Sequence, residues 1–330
     1  MRRNAATRRF WPIRQNDGSI ISEDYDRVNR EIYECLCAVT GEEAVLVDEP
    51  MKRHTTFRTG GPADFLVQPR ADEVAVLVQA CRDLKVPYTL IGNGSNLLIG
   101  DKGIRGVVIE IGKRMAAIEV RENRIRAEAG ALLSGLAAQA AAAGLAGLEF
   151  ASGIPGSVGG AVAMNAGAYG GEIKDVLNKA VLLLPDGSVR EFVNEEMQFS
   201  YRRSIVQDDE CVVLEAYFTL QPDTKEAIRA RMQELKEKRT AKQPLDYPSA
   251  GSTFKRPPGY FAAALIEEAG LKGYTVGGAQ VSEKHSGFVI NTGGATSADI
   301  RTLIRDVQRI VNEKFGVELE TEVRLLGEFA

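Results

Sequence analysis

The sequence predicts a mixed α+β chain with more than one core, and three observations carry that prediction. At 330 residues the chain exceeds what one small hydrophobic core organises. From Phe65 to Ile91 it reads as strand, helix, strand. Beyond residue 100 the alternation shortens to strand-like runs, until at Pro222 the composition turns to a charged helix.

Taken in order, Glu23 to Thr40 is expected as a helix, with Val28, Ile32, Leu36 and Val39 on one face and Gly41 as its stop. A short strand, AVLVDEP, follows. The segments DFLVQP and PYTLIG flank DEVAVLVQACRDL, whose Val74, Leu77, Val78, Cys81 and Leu84 recur at helical spacing. VVIEI, AAIEV, RIRAEA, AVLLL and SVREF are strand-like, and LLPDGSVR is a hairpin turn. The alanine-rich run Ala131 to Phe150 is interrupted by Ser134, Gln139 and Glu149, so it reads as a buried helix and turn, with no membrane span expected. VVLEAYFTL ends at Pro222, and a charged helix covers Thr224 to Arg239. The last third holds a short helix ending at Gly270, a strand GFVIN, and a helix from Ser297 to Phe315 that Thr296 and Asp299 cap as a box. ETEVRLLG is the final strand.

A net charge of −4 gives no reason to expect a nucleic-acid partner. Five arginines (Arg2, Arg3, Arg8, Arg9 and Arg14) precede the first acid, Asp17, and read as a basic extension without periodicity. It has no apolar stretch of the secretory kind. The four cysteines, Cys35, Cys37, Cys81 and Cys211, match no zinc or dense disulfide spacing, which suits reduced thiols in a cytoplasm.

Glycine makes up 33 of the 330 residues, and the glycines cluster. IGNGSNLLIGDKG follows a strand, yet Leu97 stands where a dinucleotide fingerprint needs its third glycine, and no G-K-[ST] of a P-loop occurs. SGIPGSVGGAVAMNAGAYGGE carries seven glycines and almost no charge. Backbone amides at Gly92, Gly94 and Ser95, and again at Gly156, Ser157, Val158 and Gly159, can form two anion-binding nests. Two such nests suit a diphosphate. Spacing alone equally allows tight turns or close strand packing.

TTFRTGGPADF, IGNGSNLLIGDKG and the seven-glycine segment resemble the flavin-binding half of UDP-N-acetylenolpyruvoylglucosamine reductase, and the likeness continues through FSYRRS, YPSAGSTFKRPPG, AGLKG, GGAQVSEKHSGFVIN and GVELETEVRLLGEF. It covers roughly residues 50 to 329. The resemblance implies an α+β protein with the FAD-binding fold of the vanillyl-alcohol-oxidase (PCMH) type, two α/β subdomains that are not Rossmann, plus a C-terminal α+β substrate-binding domain. The organisation implied is a basic arm at 1–20, a helix and first FAD-binding subdomain at 21–112 joined by the C-terminal strand 317–330, a second subdomain at 113–222, and a substrate-binding domain at 223–316. FSYRRS is followed only by a short acidic turn, as in the shorter, second type that lacks a tyrosine-bearing capping loop.

The activity implied is NADPH-dependent, FAD-mediated reduction of UDP-N-acetylglucosamine enolpyruvate to UDP-N-acetylmuramate in peptidoglycan precursor synthesis, by a cytoplasmic monomer or weak oligomer. Noncovalent FAD is expected at Arg58, Ile91, Gly92, Asn93, Gly94, Ser95 and Asn96, at Pro155, Gly156, Ser157, Val158, Gly159 and Gly160, and at Asn165, Gly167 and Ala168. Arg202 matches the arginine that meets the substrate carboxylate, Ser252 the proton donor and Glu322 the glutamate beside that carboxylate. On a strand Arg203 would point away from Arg202, whereas Glu320 shares the parity of Glu322. Tyr201, Lys242, Lys272 and His285 match positions lining the nucleotide-sugar site. Arg256 departs from the asparagine common there. Two further readings remain at this point: an alcohol oxidase on the same fold, whose flavin would often be tethered through histidine or cysteine, and a silent nucleotide-sugar sensor.

Overall fold

The computed structural model describes residues 23–329. The basic arm lies outside them. Helix α1 (Glu23–Thr40) turns Ile32 and Leu36, both fully buried, onto the core. The first sheet comprises β1 (Val45–Pro50), β2 (Pro62–Val67), β3 (Tyr88–Ile91) and β5 (Ile104–Glu110), in the order β1-β2-β5-β3, with β4 (Leu97–Ile99) beside it in sequence. β2, β5 and β3 run parallel, and parallel strands need cover on both faces. Phe65, Val67, Val107 and Ile109 accordingly join the main core with α1 and α2 (Val74–Asp83), while Leu66 and Val108 face a smaller cluster with Met51 and Ile99.

The second sheet is antiparallel. It contains β6 (Ile118–Arg121), β7 (Arg124–Glu128), β8 (Leu177–Leu183), β9 (Val189–Val193) and β10 (Val212–Thr219), ordered β9-β8-β10-β7-β6. The expected hairpin is its β8–β9 connection. Between β7 and β8 lie α3 (Leu133–Ala143), which Gly144 ends with φ 74°, and the six-residue α4 (Val158–Ala163). α5 (Ile205–Asp208) is one turn in the acidic segment.

α6 (Lys225–Lys242) is capped by Thr224 and runs past Arg239 to Lys242, about a turn further than the charge pattern suggests. The third sheet holds β11 (Ser249–Ser252), β12 (Thr275–Val276), β13 (Ala279–Val281) and β14 (Phe288–Asn291) in the order β11-β14-β13-β12. α7 (Ala262–Glu268) and α8 (Ser297–Phe315) complete a second core, which also takes in Phe57 and Leu98. The expected capping box is present: Asp299 N donates to Thr296 Oγ1 at 3.0 Å and Thr296 N to Asp299 Oδ2 at 2.9 Å.

Asp101 and Asn291 clamp this unit to the first. Both oxygens of Asp101, in the IGDKG turn, accept from the free amides at the start of α8, Ser297 N and Ala298 N, each at 2.8 Å. Asn291 Nδ2 donates to Phe57 O at 3.0 Å. The chain then returns, and β15 (Arg324–Leu326) pairs in parallel with β4. The final strand is thus shorter than its alternating sequence predicts. Residues 320–322 precede it because their backbone is engaged elsewhere: Glu322 N donates to Thr253 O, and Glu320 O accepts from Lys255 N.

All four cysteines are free, and burial pushes the Cys81 thiol up to about 12.

Candidate active site

A cavity of about 1010 Å³ opens between the end of the first sheet and the third sheet, with α6 and the segments around α4 closing its sides. Its walls are the turn after β3, the segment leading into α4, one face of α6, the end of β11, and the approach to β15.

The two glycine loops meet across this cavity. Asn93 Nδ2 donates to Pro155 O at 2.6 Å, and a Cβ on Gly156 would stand 3.5 Å from Ser95 Oγ. Gly94 has φ 61°, and a Cβ there would run into the carbonyl of His54. Only glycine fits such a turn without strain. Among the described residues the N–H groups of Asn93, Gly94, Ser95, Gly156 and Ser157 donate to no protein acceptor, whereas Val158 N and Gly159 N are spent on Ala131 O and Ala129 O. Free amides in two facing bends form a cradle for anionic oxygens. A cofactor diphosphate fits that donor set.

Ile91, Gly92, Asn93, Gly94, Ser95, Asn96, Pro155, Gly156, Ser157, Gly160, Gly167 and Ala168 all line the cavity. Gly159 lines an adjoining cavity of about 820 Å³ that shares Gly92, Ser157 and Gly160 with the first. Val158, the first residue of α4, is fully buried. Arg58 is exposed away from both cavities. Asn165, also fully buried, spends its side chain within the protein: Nδ2 donates to Ser200 O and Glu172 Oε2, each at 3.1 Å, and Oδ1 accepts from Lys174 N at 3.0 Å.

Arg202, Ser252 and Glu322 come together on the cavity wall from segments far apart in sequence. Arg202 sits in a tight turn, where strand parity does not apply. Ser200 and Arg203 exchange backbone bonds around it, and its φ is 58°. Left-handed backbone costs a non-glycine residue about 1–2 kcal/mol, so the neighbours must hold it. Gln207 Nε2 donates to Arg202 O at 3.2 Å, and Asn165 holds Ser200. The guanidinium donates from Nε to Glu322 Oε1 at 2.7 Å and from Nη2 to Gly167 O at 3.3 Å. Glu322 is itself fixed at both backbone atoms, its N by Thr253 O and its O by Asn96 Nδ2 at 2.9 Å. By contrast, Arg203 pairs with Asp208 at 2.8 Å and Glu320 with Lys255 at 3.0 Å, both on the surface.

Ser252 ends β11 after a register shift opposite β14, next to Gly251 with φ 76°. Such an irregularity re-aims side chains. Its hydroxyl has no protein partner among the described residues.

Lys242, Lys272, His285 and Tyr201 lie beyond the cavity wall. Burial pulls the His285 pKa below its ordinary value, and the charges of Lys272 and Lys242 add to that effect, so the three share one neighbourhood. Gly287 N donates to His285 Nδ1 at 3.1 Å, which leaves Nε2 to carry the proton of the neutral ring. Lys272 pairs with Glu267 at 2.7 Å. Tyr201 is half exposed and accepts from Arg256 N at 3.4 Å, while the Arg256 guanidinium lies 4.0 Å over the Phe261 ring.

Arg239 escaped the sequence reading. It lies on the cavity face of α6, and a Cβ on Gly153 would stand 3.0 Å from its Cδ. Among the described residues its guanidinium has no carboxylate partner, and burial lowers its pKa. A half-buried cation without an acid suits an anionic ligand. The available signal was RTAKQP: Arg239 stands three residues before Lys242 in a charged helix.

Comparison with known proteins agrees on one family. Residues 63–192 match an FAD binding domain family, and residues 243–326 match the family described as UDP-N-acetylenolpyruvoylglucosamine reductase, C-terminal domain. Among curated proteins, the UDP-N-acetylenolpyruvoylglucosamine reductase of Agathobacter rectalis is 57% identical over 297 residues, covering 86% of this chain and 95% of its own. That of Caldanaerobacter subterraneus subsp. tengcongensis is 54% identical over 294 residues, covering 89% and 97%. Among solved structures, UDP-N-acetylenolpyruvylglucosamine reductase from Thermus caldophilus superposes with a TM-score of 0.73 at 37% identity, covering 85% of this chain and 97% of that one.

Proposed function

The chain belongs to the UDP-N-acetylenolpyruvoylglucosamine reductase family, in its shorter second form, and on that premise we propose that it reduces UDP-N-acetylglucosamine enolpyruvate to UDP-N-acetylmuramate with NADPH as hydride donor. The fold is the non-Rossmann FAD-binding type with a C-terminal α+β domain, and the chain is an FAD-dependent oxidoreductase of peptidoglycan precursor synthesis. Residues 223–316 are read as the substrate-binding domain. Among the described residues no helix is long and apolar enough to cross a membrane. A cytoplasmic monomer or weak oligomer belongs to the same reading, and the four free cysteines suit the reducing compartment it implies.

The single observation that carries this reading is the convergence of Arg202, Glu322 and Ser252 on the cavity wall that both glycine loops also form. Bound FAD supplies a two-electron relay between the nicotinamide and the enolpyruvyl C3. The chain's own residues do the rest. The free amides of Asn93–Ser95 and Gly156–Ser157 would hold the diphosphate, with Arg239 as a counter-charge. Hydride addition at C3 throws negative charge onto C2 and the adjoining carboxylate. Glu322 and Gly167 O fix two nitrogens of Arg202, and Nη1 is left to meet that carboxylate. Preorganised donors aimed at developing charge are a large catalytic contribution. Ser252 then gives its hydroxyl proton to C2. A serine is a weak acid in water, so this step relies on a strongly basic enolate in a site closed to solvent.

The UDP group is read onto Lys242, Lys272, Tyr201 and His285; Tyr201 directly precedes Arg202 and Lys242 directly precedes Gln243, both on the cavity wall, and Lys272 and Lys242 share the neighbourhood of His285. Nicotinamide and substrate would take turns at the same face, consistent with a sequence that carries no dinucleotide fingerprint. The test is anaerobic incubation of enzyme, NADPH and the enolpyruvyl sugar with mass analysis of the product. Gain of two hydrogens, dependent on both substrates, is expected. NADPH consumption without that product would reject the assignment.

A further inference from the structure

His54 lines neither cavity, yet it stands directly behind the first glycine loop. Its Nδ1 lies 2.8 Å from Glu110 Oε1 and its Nε2 3.2 Å from Glu49 Oε1. The side chains of all three are only 12–13% exposed. Gln68 Nε2 donates to the second oxygen of Glu110 at 2.5 Å, and Arg53 Nη1 donates to Glu49 Oε1 at 3.3 Å.

An ionised carboxylate only accepts hydrogen bonds, so both ring nitrogens are satisfied only when each carries a proton. A neutral ring would turn a lone pair toward one of the two carboxylates. The charge balance favours the doubly protonated ring. The bond to Glu110 raises the His54 pKa above its ordinary 6.5 against the opposing effect of burial, and Glu49 adds to the rise. Burial would raise Glu110, but its bonds to His54 and Gln68, with the charge of Lys113, bring it down overall.

Each partner sits at the root of the loop. Glu49 is near the end of β1. Glu110 ends β5 and is paired in register with Ile91, the last residue before Gly92. The carbonyl of His54 itself occupies the space a Cβ on Gly94 would need, and Thr56 N donates to Gly94 O at 3.2 Å. A ring that joins Glu49 to Glu110 therefore fixes the segment against which the loop's backbone rests.

We propose that the His54 imidazolium is a positioning residue for the cofactor, clamping β1 to β5 so that the free amides of Asn93, Gly94 and Ser95 stay aimed at the FAD diphosphate. The proposal rests on the assignment of that loop to FAD. A group whose pKa is raised on folding contributes fully below its unfolded value, here about 6.5, and loses its contribution as pH rises through its folded value. FAD retention should therefore weaken on the alkaline side, with the ring's own titration as the cause.

The experiment is release of FAD from diluted holoenzyme, followed by the fluorescence of free FAD, between about pH 6 and about pH 9. Native protein should release FAD about tenfold faster at the upper end, the scale of one charge-assisted hydrogen bond. His54→Gln should release it fast at every pH, without the titration. Glu49→Gln keeps the ring but removes one of its two charges, and should shift the midpoint to lower pH. A flat profile in native protein, or an unshifted midpoint in Glu49→Gln, would overturn the clamp. Protein that holds no FAD at any pH would overturn the loop assignment with it.

Discussion

Arg202→Lys separates the two halves of the proposed reaction most sharply. Lysine keeps the positive charge but loses the planar fork. Arg202 uses Nε for Glu322 at 2.7 Å and Nη2 for Gly167 O at 3.3 Å, and the proposed reaction assigns its remaining nitrogen to the substrate carboxylate. A single ammonium cannot hold Glu322 and a substrate carboxylate in the same geometry. At least one charge-assisted hydrogen bond should be lost in the transition state, worth about 1.5–3 kcal/mol, or about 10- to 150-fold in rate. Rapid mixing measures the halves in turn: flavin bleaching by NADPH, then its return with the enolpyruvyl sugar. Bleaching should be unchanged and the return slowed by that factor. Equal slowing of both halves would show that Arg202 acts on the cofactor or the fold, and the carboxylate assignment would fail.

Three other perturbations probe separate parts of the account. Ser252→Ala should slow flavin reoxidation by about 10²- to 10⁴-fold while sparing reduction by NADPH; collapse of the first half instead would remove Ser252 from the proton-donor role. Gly94→Ala imposes a side chain at φ 61° against the His54 carbonyl, so the holoenzyme should lose FAD at least about tenfold faster on dilution, and unchanged retention would refute the cradle. Asp101→Ala leaves the Thr296–Asp299 box but removes the acceptor of two first-turn amides of α8, and should lower the thermal midpoint by about 2–4 °C, the scale of roughly 1 kcal/mol for such a contact. An unchanged midpoint would mean that the two units hold together without it.

Helices were the most legible part of the sequence. α1 and α8 follow apolar spacing and stop at Gly41 and Gly316, and the Thr296–Asp299 box is readable as four letters. Period-two patterns misled where tertiary bonds outcompeted strand pairing. The parity argument for Arg202 and Arg203 assumed a strand, but SYRRS folds as a turn in which Asn165 and Gln207 capture its carbonyls, and ETEV stays out of β15 because Thr253 takes the Glu322 amide. The candidate site was legible through motif order, which placed Arg202, Ser252 and Glu322 on one list without showing that they meet. Arg239 and His54 were opaque. The first needs the cavity face of a helix to be known, and the second needs the fold to bring Glu49 and Glu110 to either side of one ring.

The most direct test mixes NADPH-reduced, oxygen-free holoenzyme with UDP-N-acetylglucosamine enolpyruvate and follows the absorbance of oxidised flavin in a single turnover. Colour should return far faster than in a buffer control, with one UDP-N-acetylmuramate formed per flavin. Flavin that stays bleached in the presence of the sugar would contradict the account at its centre.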